Sequence, residues 1–230
     1  MSERVLITGT SSGIGKATAL LFLQKGFQVV GFDVKHPTIF DSNFQHYTVD
    51  VSDKKQFPDL GPFDYVINNA GVVDSTDEDK VIDINLLGYI YIAERYAYQP
   101  RIKSVVNVGS ISARAGIEPL RYVASQGGRV SITKKMALDL GNAYKATVNT
   151  VSFGQVITEL DWQYFEDTRL MDAVAEESIL KKWSTAEEAA KWIYFVAVTN
   201  KSMTGQEILI DNGETSNFNY IDPDYFNEYR

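Results

Sequence analysis

Apolar and polar positions follow two periods along this chain, one typical of buried strands and one of helices. Short apolar runs predict buried strands, and they lie at 5–7, 27–32, 47–49, 63–67, 103–108, 146–151 and 207–210. Apolar residues at helical spacing predict helices between them, and these lie at 14–26, 77–98, 121–140 and 185–198. This alternation predicts an α/β fold, with a doubly wound parallel sheet of about seven strands and helices on both faces.

The 230 residues fit one domain of this class, and no repeat or linker divides them. Residues 158–182 are polar and acidic with scattered apolar positions, which predicts a helical lid over the substrate. Within it, Trp162, Tyr164 and Phe165 are candidates for substrate contact. The tail at 214–230 is polar and aromatic, and we interpret it as an arm that docks on a neighbouring subunit rather than a disordered end.

The composition narrows the functional classes. The chain lacks cysteine, which excludes disulfides, thiolate zinc sites and a cysteine nucleophile. His36 and His46 are its only histidines, so no metal site is expected. A net charge of −8 disfavours nucleic acid and anionic lipid as partners. No apolar run reaches membrane-spanning length, and the N-terminus has no signal-peptide pattern, so we expect a cytoplasmic protein.

A glycine-rich loop follows the first strand and opens the first helix. Glycines let the backbone approach a pyrophosphate, and the helix N-terminus offers free amides and partial positive charge. The candidate contacts in this loop are Gly9, Ser11, Ser12, Gly13, Ile14 and Gly15. Asp33 ends the next strand, 18 residues after Gly15. Its carboxylate can accept hydrogen bonds from the adenosine ribose and would repel a 2′-phosphate, so the pattern predicts a Rossmann-type site for NAD rather than NADP.

Several further motifs occur in a fixed order, and with them the chain resembles the short-chain dehydrogenase/reductase family from Val5 to about Gly213. The loop has the form TGxxxGIG, and the later motifs are Asp50-Val51, Asn68-Asn69-Ala70-Gly71, Asn85, Ser110, Tyr122 and the segment 149–158. The resemblance implies further cofactor contacts at Asp50, Val51, Asn69, Ala70, Gly71, Val156 and Thr158. It also implies a catalytic set of Asn85, Ser110, Tyr122 and the residue four positions after the tyrosine.

The resemblance further implies hydride transfer between NAD(H) and a secondary alcohol or ketone. Ser110 would hold the substrate oxygen, and Tyr122 would be the general acid or base. A free tyrosine has a pKa of about 10, which is too high for a base at neutral pH. In the family, a lysine one helical turn after the tyrosine favours the phenolate by its charge and binds the nicotinamide ribose.

Here the position of the lysine is occupied by Gln126, which lies on the same helical face as Tyr122 but carries no charge. We expect this change to slow proton transfer by about tenfold to several hundredfold. Three interpretations stay open: a natural enzyme that is slow or uses another cation, a cofactor-binding relative that is catalytically impaired, and a laboratory substitution that traps a complex. The leading hypothesis is an NAD-dependent oxidoreductase, and the alternative is an impaired NAD-binding homologue.

Four tyrosines are clustered in the predicted helix at 77–98, namely Tyr89, Tyr91, Tyr96 and Tyr98. They could line a substrate pocket, but in the resembled family this helix pairs with its symmetry mate. We therefore expect these tyrosines at a subunit interface, and we expect a homodimer or homotetramer that acts on a small molecule.

Overall fold

A parallel sheet of seven strands crosses the protein in the computed structural model, which describes residues 2–73, 79–159 and 168–217. Its strands are β1 (Arg4–Thr8), β2 (Gln28–Asp33), β3 (Phe44–Thr48), β4 (Tyr65–Asn68), β5 (Ser104–Ser110), β6 (Thr147–Phe153) and β9 (Glu207–Ile210). Two short strands, β7 (Val156–Ile157) and β8 (Ser184–Thr185), pair with each other beside the sheet. The predicted sheet is confirmed, and the short pair is additional to it.

The strand order places a crevice above the middle of the sheet. The order is β3-β2-β1-β4-β5-β6-β9, so the chain progresses in one direction from β1 to β3 and in the other from β4 onward. Val5 of β1 pairs with Val29 on one side and with Tyr65 on the other. In sheets of this kind, ligands bind outside the carboxyl ends of the strands where the order reverses. The reversal lies between β1 and β4.

Helices cover both faces of the sheet. They are α1 (Gly13–Gln24), α2 (Asp79–Ile82, a π-helical turn at Asp83–Leu87, then Gly88–Tyr96), α3 (Ser112–Ala115), α4 (Leu120–Tyr144), α5 (Thr168–Glu176) and α6 (Ala186–Tyr194, extended by a π-helical turn at Phe195–Thr199). Helices α1 and α6 pack on one face, and α2 and α4 pack on the other. None of the helices within the three described ranges has the length and apolar character needed to cross a membrane.

The alternation of side chains along each strand divides the core into two layers. Val5 and Ile7 of β1 pack with Phe22 of α1, whereas Leu6 between them packs with Ile92 of α2 on the opposite face. All three β1 side chains are fully buried, which explains why this strand is a continuous apolar run. Shortening one of them, as in Leu6→Ala, would cost about 2–5 kcal/mol of stability.

The structure corrects several boundaries. Within the described residues, the helix predicted at 77–98 contains a π-helical turn, and the helix predicted at 121–140 extends to Tyr144. Tyr89 and Tyr96 are buried in the core of the chain, so the expectation that they lie at a subunit interface is wrong for these two. The predicted lid contacts at 162–165 and the tail beyond Asn217 lie outside the described residues.

Candidate active site

The loop between β1 and α1 is shaped by its glycines. Gly9 and Gly13 have φ angles of +77° and +52°, which other residues rarely adopt. Gly15 is constrained by space, because a Cβ atom there would overlap the carbonyl oxygen of Gly9. Helix α1 therefore begins directly against the loop, and Ser12 and Ile14 at its start line the crevice together with Gly13.

Asp33 ends β2, and backbone amides fix both of its carboxylate oxygens. Oδ2 accepts a 2.9 Å hydrogen bond from the amide of Ser11, and Oδ1 accepts one of 2.9 Å from the amide of Lys35. Ser11 thus supports the carboxylate from behind, whereas Asp33 itself lines the crevice. Because each carboxylate oxygen can accept more than one hydrogen bond, Asp33 retains capacity for ligand hydroxyl groups.

Thr8 joins the end of β1 to the segment that follows β4. Its hydroxyl oxygen accepts hydrogen bonds from the amides of Asn69, at 2.9 Å, and Ala70, at 3.0 Å. In return, Nδ2 of Asn69 donates to the carbonyl of Thr8 at 3.0 Å. These bonds hold Asn69, Ala70 and Gly71 as one wall of the crevice.

The crevice has a volume of about 500 Å³, which lies within the range of ligand sites, roughly 300–1,000 Å³. Most of the cofactor contacts predicted from the sequence line it, namely Gly9, Ser12, Gly13, Ile14, Asp33, Asp50, Val51, Asn69, Ala70, Gly71, Tyr122, Gln126 and Thr158. Ser11, Gly15 and Val156 do not line it. Ser11 and Gly15 support the loop from behind, and Val156 is buried in β7.

Tyr122 near the start of α4 faces Ser110 at the end of β5. Tyr122 is largely buried, and the Ser110 hydroxyl lies close enough to hydrogen-bond to the phenolate form of Tyr122. Burial raises the pKa of Tyr122 above its usual value, while the charge of Arg129 and the hydrogen bond with Ser110 lower it in part. The orientation of Ser110 is set by Ser112, whose amide donates to the Ser110 hydroxyl at 3.1 Å and whose own hydroxyl accepts from it at 3.0 Å.

Asn85 lies in the π-helical turn of α2 and is fully buried. Its Oδ1 accepts a 2.9 Å hydrogen bond from the amide of Val72, and its Nδ2 donates to the carbonyl of Val72 at 2.7 Å. The side chain thus ties α2 to the segment after β4 and does not line the crevice. Its backbone carbonyl instead accepts a 2.6 Å hydrogen bond from Nε of Arg129.

Gln126 occupies the position four residues after Tyr122 and is 1% exposed. Its Oε1 accepts a 3.0 Å hydrogen bond from Nη1 of Arg129, whereas its Nε2 has no hydrogen-bond partner among the described residues. The amide oxygen of this crevice-lining residue is therefore engaged with a cation, whereas its buried amide nitrogen is unsatisfied.

Arg129 is a site residue that the sequence reasoning missed. It is 4% exposed, lines the crevice, and lies three residues after Gln126 on the same face of α4. The available signal was an arginine among the inward-facing positions of a helix, where an unpaired charge is costly. The next lysines along the helix, at 134 and 135, are both exposed to solvent.

A second missed residue, Glu159, reaches the start of α1. Its Oε2 accepts a 2.7 Å hydrogen bond from the amide of Gly13. Thr158 packs against the same glycine, since a Cβ atom at Gly13 would lie 3.3 Å from the side chain of Thr158. A carboxylate is thus bound at the helix N-terminus where an anionic phosphate would be stabilised.

The residues around the crevice fit a nicotinamide dinucleotide. At one end, the glycine loop and the fixed carboxylate of Asp33 match the pyrophosphate and the adenosine ribose of such a cofactor. At the other end, Nε2 of Gln126 and Nη2 of Arg129 are buried donors that have no partner in the described part of the chain. Buried donors without partners are costly, so hydroxyl groups of a second ribose would satisfy a real deficit.

Comparisons with known proteins agree with this arrangement. The family model described as enoyl-(acyl carrier protein) reductase matches residues 9–215. The chain is 31% identical to the 3-oxoacyl-[acyl-carrier-protein] reductase FabG of Thermotoga maritima, over 90% of this chain and 96% of that protein. It is 27% identical to 4-hydroxyisoleucine dehydrogenase solved with NADH (TM-score 0.82) and 28% identical to ElxO solved with NADP (TM-score 0.83), each over 94% of this chain and 100% of the other.

Proposed function

The chain belongs to the short-chain dehydrogenase/reductase family, and we propose that it uses NAD(H) to interconvert a secondary alcohol and its ketone. The observation that carries this proposal is that the Ser110 hydroxyl lies close to the Tyr122 phenol, which lines the crevice. A hydroxyl donor next to a phenol is the pair of groups that a carbinol or carbonyl oxygen needs for proton transfer.

The nicotinamide supplies the hydride acceptor for oxidation and the hydride donor for reduction. In oxidation, Tyr122 as the phenolate takes the proton of the substrate hydroxyl while the carbinol carbon gives up its hydride. In reduction, Tyr122 as the phenol returns that proton to the carbonyl oxygen. When substrate binds, the Ser110 hydroxyl would turn its hydrogen from Oγ of Ser112 to the same oxygen and stabilise the negative charge that develops there.

Asp33 supports NAD rather than NADP as the cofactor. The carboxylate lines the crevice and is held there by two backbone amides, so it cannot easily turn away from a ligand. Its charge would repel a 2′-phosphate, while a ribose with both hydroxyl groups can donate to it. Relatives of the same fold have been solved with either cofactor, so the preference has to come from residues such as Asp33.

A rival function is cofactor binding by a catalytically impaired homologue. The neutral amide of Gln126 favours it, because this position holds no charge next to Tyr122. The two functions share the cofactor site and differ in turnover.

The test begins with a titration of NADH fluorescence, followed by a turnover screen with secondary alcohols and ketones. We expect submillimolar NADH binding and measurable turnover. Tyr122→Phe should lower kcat by about 10²–10⁴-fold and leave NADH binding within a few-fold of the wild type. Binding without turnover on any substrate would favour the impaired homologue. Absence of binding at millimolar NADH would contradict both functions.

We also propose that the chain forms a homodimer or homotetramer through α2 and α4. Leu138 on α4 is 61% exposed and Tyr98, just beyond α2, is 41% exposed, so this surface presents large apolar groups to solvent. Light scattering on the wild type and on Leu138→Glu tests this proposal. A wild-type mass of one chain would contradict it, and a shift of the variant toward one chain would support it.

A further inference from the structure

Helix α4 has a cation near Tyr122 at a position other than that of the family's lysine, which is Gln126 here. This cation is Arg129. Tyr122, Gln126 and Arg129 are spaced by four and three residues, so they lie on one face of the helix over two turns. All three line the crevice. Arg129 therefore lies one turn beyond Gln126 and faces the same space.

The guanidinium of Arg129 is held rigidly by neutral groups. Nε donates to the carbonyl of Asn85 at 2.6 Å, and Nη1 donates to the carbonyl of Val108 at 2.8 Å and to Oε1 of Gln126 at 3.0 Å. The ring of Tyr89 covers the guanidinium, with 4.0 Å between Cζ and the ring centroid. These contacts fix the position of the positive charge. None of the four partners is a carboxylate, so these contacts do not neutralise the charge.

One nitrogen of this guanidinium remains unused. Nη2 of Arg129 and Nε2 of Gln126 are both buried, and within residues 2–73, 79–159 and 168–217 neither has a hydrogen-bond partner. A Cβ atom at Gly71 would lie 3.2 Å from Nη2, so this nitrogen reaches the wall formed by the segment after β4. Two unsatisfied donors on residues that line the same crevice indicate that a ligand with acceptor groups belongs there.

We propose that Arg129 supplies the positive charge that acts on Tyr122, and that Gln126 positions it by accepting a hydrogen bond from Nη1. This inference rests on the dehydrogenase function proposed above. Arg129 acts on Tyr122 through its charge and also contacts the cofactor. Its charge favours the phenolate over the phenol, while Nη2 and the amide of Gln126 donate to hydroxyl groups of the nicotinamide ribose.

The electrostatics of the pair agree with this role. The charge of Arg129 lowers the pKa of Tyr122 against the larger, opposite effect of burial. Burial also lowers the pKa of Arg129, but a guanidinium keeps its proton inside proteins, so the charge persists. An uncompensated buried cation is itself unfavourable, and formation of a nearby phenolate relieves that cost.

The hydrogen bond between Arg129 and Gln126 also determines the expected effect of Gln126→Lys. An ammonium group at 126 would replace the acceptor of Arg129 by a second cation at nearly the same distance. Two like charges in a buried site repel each other strongly. Gln126→Lys should therefore give no gain in turnover while Arg129 is present. The lysine should be able to replace the charge of the arginine in the double variant, where Arg129 is removed.

The experiment relocates the charge along the helix. Four variants are compared with the wild type, namely Arg129→Met, Arg129→Lys, Gln126→Lys and the double variant Gln126→Lys/Arg129→Met. Lys134→Met is the matched control, because it removes a positive charge from the exposed face of the same helix. The first readout needs no cofactor: the ionisation of Tyr122 is followed by ultraviolet difference titration, with each variant referenced to the same variant carrying Tyr122→Phe.

We expect Arg129→Met to raise the pKa of Tyr122 and to lower kcat/KM for alcohol oxidation by about tenfold to several hundredfold. NADH binding should weaken in the same variant because one ribose donor is lost. Arg129→Lys and the double variant should keep the pKa of Tyr122 near that of the wild type. Gln126→Lys alone should lower thermal stability and give no gain in kcat/KM, and Lys134→Met should match the wild type.

An unchanged pKa of Tyr122 in Arg129→Met would overturn the proposal, and so would a gain in turnover by Gln126→Lys alone. If Arg129→Met does not fold, the double variant decides the question, because a wild-type pKa there supports relocation of the charge and a raised pKa contradicts it. Failure of the proposed dehydrogenase function has a different signature. It would show as absence of turnover in the wild type, while the titration of Tyr122 would still respond to Arg129.

Discussion

Oε2 of Glu159 and the amide of Gly13 are joined by a 2.7 Å hydrogen bond at the N-terminus of α1. The bond spans 146 positions of sequence and connects the segment after β7 to the glycine loop. The carboxylate thereby takes an amide that lies where a pyrophosphate would bind. Cofactor binding then has to displace a negatively charged side chain of the chain itself.

The first prediction concerns this contact. Glu159→Gln should strengthen NADH binding by about two- to tenfold, because a neutral amide competes less well for the helix N-terminus and does not repel the pyrophosphate. Fluorescence titration measures the change. Glu187→Gln is the control, since it removes a carboxylate from a neighbouring pocket wall that also contains Glu159. Weaker binding by Glu159→Gln would mean that the carboxylate supports the site rather than competes for it.

The second prediction concerns cofactor choice. Asp33→Asn should lower the preference for NADH over NADPH by at least about tenfold, because the repulsion of a 2′-phosphate is removed and one amide contact to Ser11 or Lys35 is weakened. The ratio of the two dissociation constants is the measurement. Asp41→Asn serves as control, because Asp41 is exposed. Among the described residues, its carboxylate accepts a hydrogen bond only from the amide of Asn43. A ratio unchanged by Asp33→Asn would contradict the assignment of NAD.

The third prediction is a pH dependence. Burial raises the pKa of Tyr122, so the phenol predominates at neutral pH. Ketone reduction, which uses the phenol, should be constant through neutral pH and fall as the pH passes the pKa of Tyr122. Alcohol oxidation, which uses the phenolate, should rise with pH until that value and then level off. Profiles of kcat/KM in both directions test this, and an oxidation rate that is flat across alkaline pH would argue against Tyr122 as the base.

The fourth prediction compares two glycines. Gly15→Ala should weaken NADH binding by at least about tenfold and destabilise the protein, because the added Cβ atom overlaps the carbonyl of Gly9. Gly127→Ala meets nothing within 4 Å, and in the interior of α4 it should stabilise the fold by about 0.5–1 kcal/mol. Urea unfolding and NADH titration measure both effects. Equal behaviour of the two variants would show that the loop tolerates a side chain at position 15.

The sheet and the glycine loop were predictable because local chemistry determines them. A buried parallel strand must be apolar on both faces, and a loop with positive φ at Gly9 and Gly13 strongly favours glycine. The π-helical turn in α2 was not predictable, because it accompanies hydrogen bonds between Asn85 and Val72. That pairing depends on where the end of β4 meets the helix, which no local pattern encodes.

The active-site residues that belong to the family motifs were predictable from the sequence. Those outside the motifs, Arg129 and Glu159, were missed. Gln126 was identified from its spacing after Tyr122, but this spacing says nothing about a charge at another position of the helix. Arg129 has the correct helical phase, and its burial is decided by the packing of Tyr89 and the carbonyls of two other elements. Glu159 reaches its partner through tertiary structure alone.

The pair of hydrogen bonds between the carboxamide of Asn85 and the backbone of Val72 resembles one rung of a β-ladder made by a side chain. These hydrogen bonds connect the segment after β4, beside the crevice, to the middle of α2. Arg129 is connected to them because its Nε donates to the Asn85 carbonyl. Local opening that frees the amide of Val72 must therefore also loosen the helix. The slow-exchanging part of the protein should extend out of the sheet into this loop, so the reaction centre is rigid before any ligand arrives.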